Sequence, residues 1–79
     1  MDRSPKIIGN LSASDIEALN ALGRTTSGEL VLSLSSHTAD MAEIRTGVAS
    51  QPKLGSGTDL IAKRISGKWV IVAKIRRLG

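Results

Sequence analysis

Six basic residues crowd the end of this chain: Lys63, Arg64, Lys68, Lys74, Arg76 and Arg77, with no acid among residues 63–79. A concentration of one sign on a single element raises the local potential and attracts polyanions. Lysine and arginine contacts to phosphates need no reading of base sequence, and they supply most of a non-specific nucleic-acid affinity. Residues 1–62 hold five bases and seven acids, so the whole excess of a +4 chain lies in its last seventeen positions. An acidic protein surface would answer the same chemistry. Basic side chains on a hairpin also have a purely structural use, since they keep a sheet edge soluble and block edge-to-edge pairing. These six are the candidate binding residues for nucleic acid or an acidic protein surface.

Other groupings promise less. His37 is the only imidazole, with Asp40 close behind it. A Ser/His/Asp set is defined by geometry rather than inventory, and no Gly-x-Ser-x-Gly elbow occurs. His37, Asp40 and Glu43 recur at spacing three, which on a helix spreads them over about 120° and converges poorly on a metal. Gly55-Ser56-Gly57-Thr58 lacks both the following helix and the Gly-Lys-Ser/Thr that let a phosphate loop work. Trp69 could stack a base, but a lone tryptophan in an aliphatic run is usually core because of its apolar area. The expectation is a protein that is not an enzyme and uses no cofactor and no metal.

The elements that must carry the cations can be read from caps and alternation. Ser12 is a good N-cap, Asp15 falls at N3, and Leu11 with Ile16 forms a hydrophobic staple. Ile16, Leu19 and Leu22 recur at spacing three and Gly23 stands where a C′ glycine belongs, which predicts a helix over 13–22. Glu29 to Ser35 alternates, with Leu30, Leu32 and Leu34 on one face. Residues 36–49 fit a helix through Met41, Ile44 and Val48, or a strand through Ala42, Ile44, Thr46 and Val48. Residues 50–58 read as a loop, broken by Pro52, Gly55 and Gly57.

Residues 59–77 predict a hairpin turning at Ser66-Gly67. A two-residue loop sets Arg64 beside Trp69. A three-residue loop with a bulge sets Lys63 beside Trp69 and gathers Ile61, Trp69, Ile71, Ala73 and Ile75 on one core face, so it is the expected register. In that register Arg64, Lys68, Lys74 and Arg76 form the primary binding set, and Lys63 and Arg77 are secondary. Val70 and Val72 fall on the other face, which suggests a central strand or a contact with a partner.

The fold class expected is α+β: an N-terminal helix packed on an antiparallel sheet of three or four strands, ending in a β-hairpin, with a small SH3-like barrel as one compatible form. Residues 1–10 read as an N-terminal arm whose Ile7-Ile8 pair could dock on a neighbour, and residues 11–79 as a single small domain. At 79 residues, without cysteine, phenylalanine or tyrosine, the chain must build its core from aliphatic side chains around one indole. Such small cores are marginal, so a homo-oligomer is expected. The longest apolar run, Trp69 to Ala73, falls far short of a membrane span, and the first residues show no secretory pattern. A cytoplasmic protein with no membrane partner is the expectation. Within those bounds the function expected is a small non-enzymatic protein that engages a polyanion through the basic hairpin. The alternative is a small protein-binding regulator or inhibitor, or an oligomeric assembly subunit such as a virus or plasmid encodes.

Overall fold

In the computed structural model, which describes residues 5–47 and 57–77, the chain runs β1 (Lys6–Ile8), α1 (Ala13–Ser27), β2 (Leu30–Thr38), β3 (Met41–Gly47), β4 (Gly57–Ile65) and β5 (Lys68–Arg77). The α+β class holds. The strands lie in the order β1-β2-β3-β4-β5 in one open sheet with β1 and β5 at its edges. Five strands therefore replace the expected three or four, and the sheet is mixed rather than wholly antiparallel. The extra strand is Lys6-Ile7-Ile8, which pairs parallel with Ser33-Leu34-Ser35 of its own chain. Three residues are too few to show alternation, so nothing in the arm announced it.

The helix starts as its caps dictate. Ser12 holds an extended backbone and its hydroxyl accepts from the Asp15 amide at 3.1 Å. It does not stop at Leu22 but continues to Ser27, where Gly28 takes the left-handed conformation at φ 72° and its amide bonds the Arg24 carbonyl at 2.8 Å. Gly23 serves packing instead of termination. A Cβ there would stand 2.7 Å from a methyl of Ile44 and 2.8 Å from one of Val31, so only a bare backbone lets the helix settle on the sheet.

The helix lies mainly over β2 and β3. Leu19, Leu34, Ile44 and Leu60 are fully buried between the layers, with Ala42 and Ala62, and Leu11, Ile16, Leu22, Trp69 and Ile71 pack around them. Full burial of one such aliphatic side chain contributes about 1.5–3 kcal/mol. Two threonines share that interior without penalty, because the Thr46 and Thr58 hydroxyls donate to one Glu29 oxygen at 3.1 and 3.2 Å.

Residues 41–47 resolve as strand, in antiparallel register with both β2 and β4. On β2, the expected leucine face fails at one point. The register shifts between Val31 and Ser33, which turns Leu32 out to solvent and brings Val31 into the core beside Leu34. An inserted bulge residue reverses the phase of alternation, and period-two reading cannot see it. Of the expected loop 50–58, only Gly57 and Thr58 fall among the described residues, and both belong to β4.

Gly23→Ala sets two effects against each other. Alanine is favoured over glycine by about 0.8–1.0 kcal/mol within a helix, but overpacking a tight contact costs about 1–3 kcal/mol. Both methyls in the way sit on β-branched side chains with little freedom to turn aside. The expected outcome is a net loss of stability, read as a lower denaturant midpoint with an unchanged slope.

Candidate functional site

The β4–β5 hairpin turns through Ser66 at φ 53° and Gly67 at φ 77°, with Ile65 paired to Lys68. Two consecutive positive φ values define the primed turn that matches strand twist, so the loop has two residues. The three-residue register is thereby corrected: Arg64 lies across from Trp69, and Lys63 across from Val70. A shift between Ile61 and Ala62 places an extra residue of β5 at Val72, so Ala73 still faces Ile61 and Lys74 faces Leu60. Trp69 and Ile71 consequently point to the helix, while Ile61, Ala73 and Ile75 sit on the opposite, open face of the sheet. The single core face expected from the sequence is split between two faces.

The split decides what each cation does. Arg64 points to the helix side and is held there. Its guanidinium bonds Asp15 at 3.0 Å and Asp40 at 3.2 Å, donates to the Ala39 carbonyl, and lies 4.7 Å from the centre of the Trp69 ring. Its backbone amide also bonds the Asp40 carbonyl at 2.8 Å. The Trp69 indole N–H donates to the same Asp15 oxygen at 3.1 Å. The Asp15 carboxyl is held below its ordinary range, first by the indole hydrogen bond, against opposing desolvation, with help from Ser12 and the Arg64 charge. Arg64 therefore ties the helix start, the β2–β3 turn and the hairpin together. The indole is half-buried against the core with Arg64 over it, which removes it as an open stacking platform.

The remaining predicted residues separate by face. Lys74 and Arg76 are exposed on the helix side of β5, opposite Leu60 and Thr58, and stand about 6.7 Å apart as residues i and i+2 of a strand. Lys63 and Lys68 are exposed on the open face near the turn. The Arg77 side chain lies outside the described residues. Among the described residues, Lys63, Lys68, Lys74 and Arg76 have no acid within 4.0 Å, whereas Arg45 reaches Asp59 at 3.4 Å. Lys6 and Arg24 also lack an acid partner but lie far along the sheet, on β1 and at the helix end.

Arg24 and Glu29 line an open cleft of about 470 Å³ where the helix meets β2. His37 contacts Glu43 at 3.5 Å, and Asp40 is engaged by Arg64, so the trio at spacing three does not converge. Among the described residues no group of three or more His, Cys, Asp or Glu could hold a metal, and no helix is long and apolar enough to cross a membrane. Sequence reasoning missed Asp15 and Asp40 as partners of Arg64. The Ser66-Gly67 pair carried the signal, because a two-residue turn alone forces Arg64 beside the indole. No protein-family model, curated protein or solved structure matches this chain.

Asp15→Asn should lower stability by about 1–2 kcal/mol, since it weakens two charge-assisted partners at once. A depressed carboxyl stabilises the fold above its unfolded pKa, about 3.9, and that contribution is lost as pH falls through the lower folded value. The gap between the native protein and this variant is therefore expected to be full near neutrality and to close below about pH 4. Emission from Trp69, the only fluorophore of its kind in the chain, reports both the unfolding and the loss of the indole contact.

Proposed function

We propose that this protein is a small non-enzymatic binding protein that engages a polyanion, nucleic acid first, along the outer edge of its β4–β5 hairpin. One observation carries the reading: Lys68, Lys74 and Arg76 stand exposed on the edge strand with no acid within 4.0 Å among the described residues, while Asp15, Asp40 and Asp59 are engaged by Arg64 and Arg45. An edge strand offers both of its faces to a neighbour, so cations pointing to opposite sides can flank one phosphate chain. Lys74 and Arg76 form the centre of this surface, Lys68 its distal contact, and Lys63 its margin. Arg64 is removed from the binding set, because turning it outward would break its bonds to Asp15, Asp40 and Ala39.

Nothing in this surface reads bases. Backbone contacts of this type position a polyanion without sequence preference. The alternative class, a protein-binding regulator or assembly subunit acting on an acidic protein surface, would use the same three cations. Salt separates the two. Neutralising three phosphates of duplex DNA gives a slope of about −2.7 in log affinity against log salt, at about −0.9 per phosphate. Titration of a labelled duplex and a labelled single strand at several salt concentrations should show that slope. Lys74→Glu with Arg76→Glu should abolish it while thermal unfolding stays within about 0.5 kcal/mol, as exposed substitutions do. No binding to either strand form at low salt would overturn the nucleic-acid reading and leave the acidic-protein one.

A further inference from the structure

The sheet has two faces and the helix covers one. On the other, Ile65, Val70, Val72 and Ile75 are 54, 37, 48 and 56% exposed, with Ile61 half-buried between them. On β5 these side chains follow one another from Val70 to Ile75, with Ile61 of β4 beside Ala73 and Ile65 nearer the turn. A lone exposed isoleucine is ordinary, but a contiguous strip on the uncovered face of a sheet marks an interaction surface. We infer that this open face packs against the same face of a second copy of the chain, giving a two-fold dimer with the helices outermost.

Three features of the molecule select that occupant. The first is area. The 38 strand residues, at about 4.8 by 3.3 Å each, cover roughly 600 Å², so two apposed faces remove about 1,200 Å², the lower end of the range of a stable interface. The second is self-complementarity. In the register of β4 and β5, the rows Lys63–Val70 and Asp59–Ile75 flank the row Ile61–Ala73 on either side. A two-fold axis crossing the strands through the Ile61–Ala73 row brings each flanking row onto the other in the second copy. Val70 then meets Ile75, and Lys63, which has no acid within 4.0 Å among the described residues, comes to the Asp59 carboxylate that Arg45 of its own chain already reaches at 3.4 Å. Glu43 continues the central row on β3, so the axis sets it against Glu43 of the second copy, where His37 at 3.5 Å stands beside each carboxylate. The third is the state of the edges. β5 carries an extra residue at Val72 and the cations Lys68, Lys74 and Arg76, and β1 has three residues. Bulges, charges and shortness are the devices that block edge-to-edge pairing. On the open face the charges Lys63, Lys68 and Asp59 stand around the strip, while β5 itself stays apolar there from Val70 to Ile75.

The dimer leaves Lys74 and Arg76, the centre of the polyanion surface, on the helix side of each sheet and covers only its outlying Lys68 and Lys63. The double substitution of Lys74 and Arg76 therefore tests the polyanion reading without touching the dimer. Sedimentation equilibrium of the full chain, free of nucleic acid, at about 0.15 M salt and from micromolar to millimolar concentration, reads the mass directly. The expected result is a particle of twice the 8.3 kDa chain. Val72→Lys and, separately, Ile65→Lys should each return it to the single-chain mass with the helix and strand circular dichroism retained. Having two variants guards against one that fails to fold. A zero-length carbodiimide cross-link between Lys63 and Asp59 should form and should join chains, because within one strand these residues are about 13 Å apart. A single-chain mass across the whole range overturns the inference. So does a dimer that both folded variants preserve, since it would be built on another surface.

Discussion

Everything the hairpin does follows from where Trp69 finds an acceptor for its indole N–H. A half-buried indole needs a partner, and in a chain without tyrosine or phenylalanine no other aromatic can share its place in the core. Asp15 supplies the acceptor from the third position of the helix, where the dipole already favours a carboxylate. Arg64 then completes the arrangement by neutralising Asp15 and covering the ring. Because the three groups come from the helix, β4 and β5, satisfying the indole fixes the helix start against the hairpin. Arg64 extends the tie to Asp40 and Ala39, so the turn between β2 and β3 is anchored by the same side chain.

That constraint also selects the hairpin register. Had the turn used three residues, Lys63 would stand across from Trp69 and Arg64 would point to the open face, leaving Asp15 without its cation. A lysine could pack its stem along the indole, but it lacks the planar fork that meets Asp15, Asp40 and a carbonyl together. The larger apolar face offered by the three-residue loop was real as a pattern. It lost to a polar node in which all three guanidinium nitrogens and the indole N–H find an acceptor.

The parts legible in the sequence are those that depend on local chemistry. Ser12 with Asp15 marks a helix start, and Ser66-Gly67 marks a turn, because capping and positive φ are demanded within a few residues. The parts that were not legible depend on partners far along the chain. Gly23 looked like a helix stop, and only the methyls of Val31 and Ile44 make it a contact point. The phase of β2 changes at Leu32 and that of β5 at Val72, so alternation read straight through either strand assigns half its residues to the wrong side. Residues 41–47 fit two periodicities equally, and flanking strands, not propensity, decide for the sheet. The candidate site inherited these errors. All six cations could be counted, but which of them face outward depended on a register that counting does not supply.

The two sides of β5 then carry different kinds of information. Toward the helix it gives Trp69 and Ile71 to the core and, beyond the helix's reach, turns polar at Lys74 and Arg76. Toward the open face it stays apolar from Val70 through Ile75, with the extra residue at Val72 keeping Ala73 and Ile75 in line with Ile61 and Asp59. Without that bulge, alternation would send Lys74 to the open face and Ile75 to the helix side, charging the strip and leaving an isoleucine beside Thr58. The bulge thus does two things with one residue. It spoils the outer edge for strand addition, and it sorts the cations from the aliphatics so that a charged edge and an apolar face can coexist on one strand.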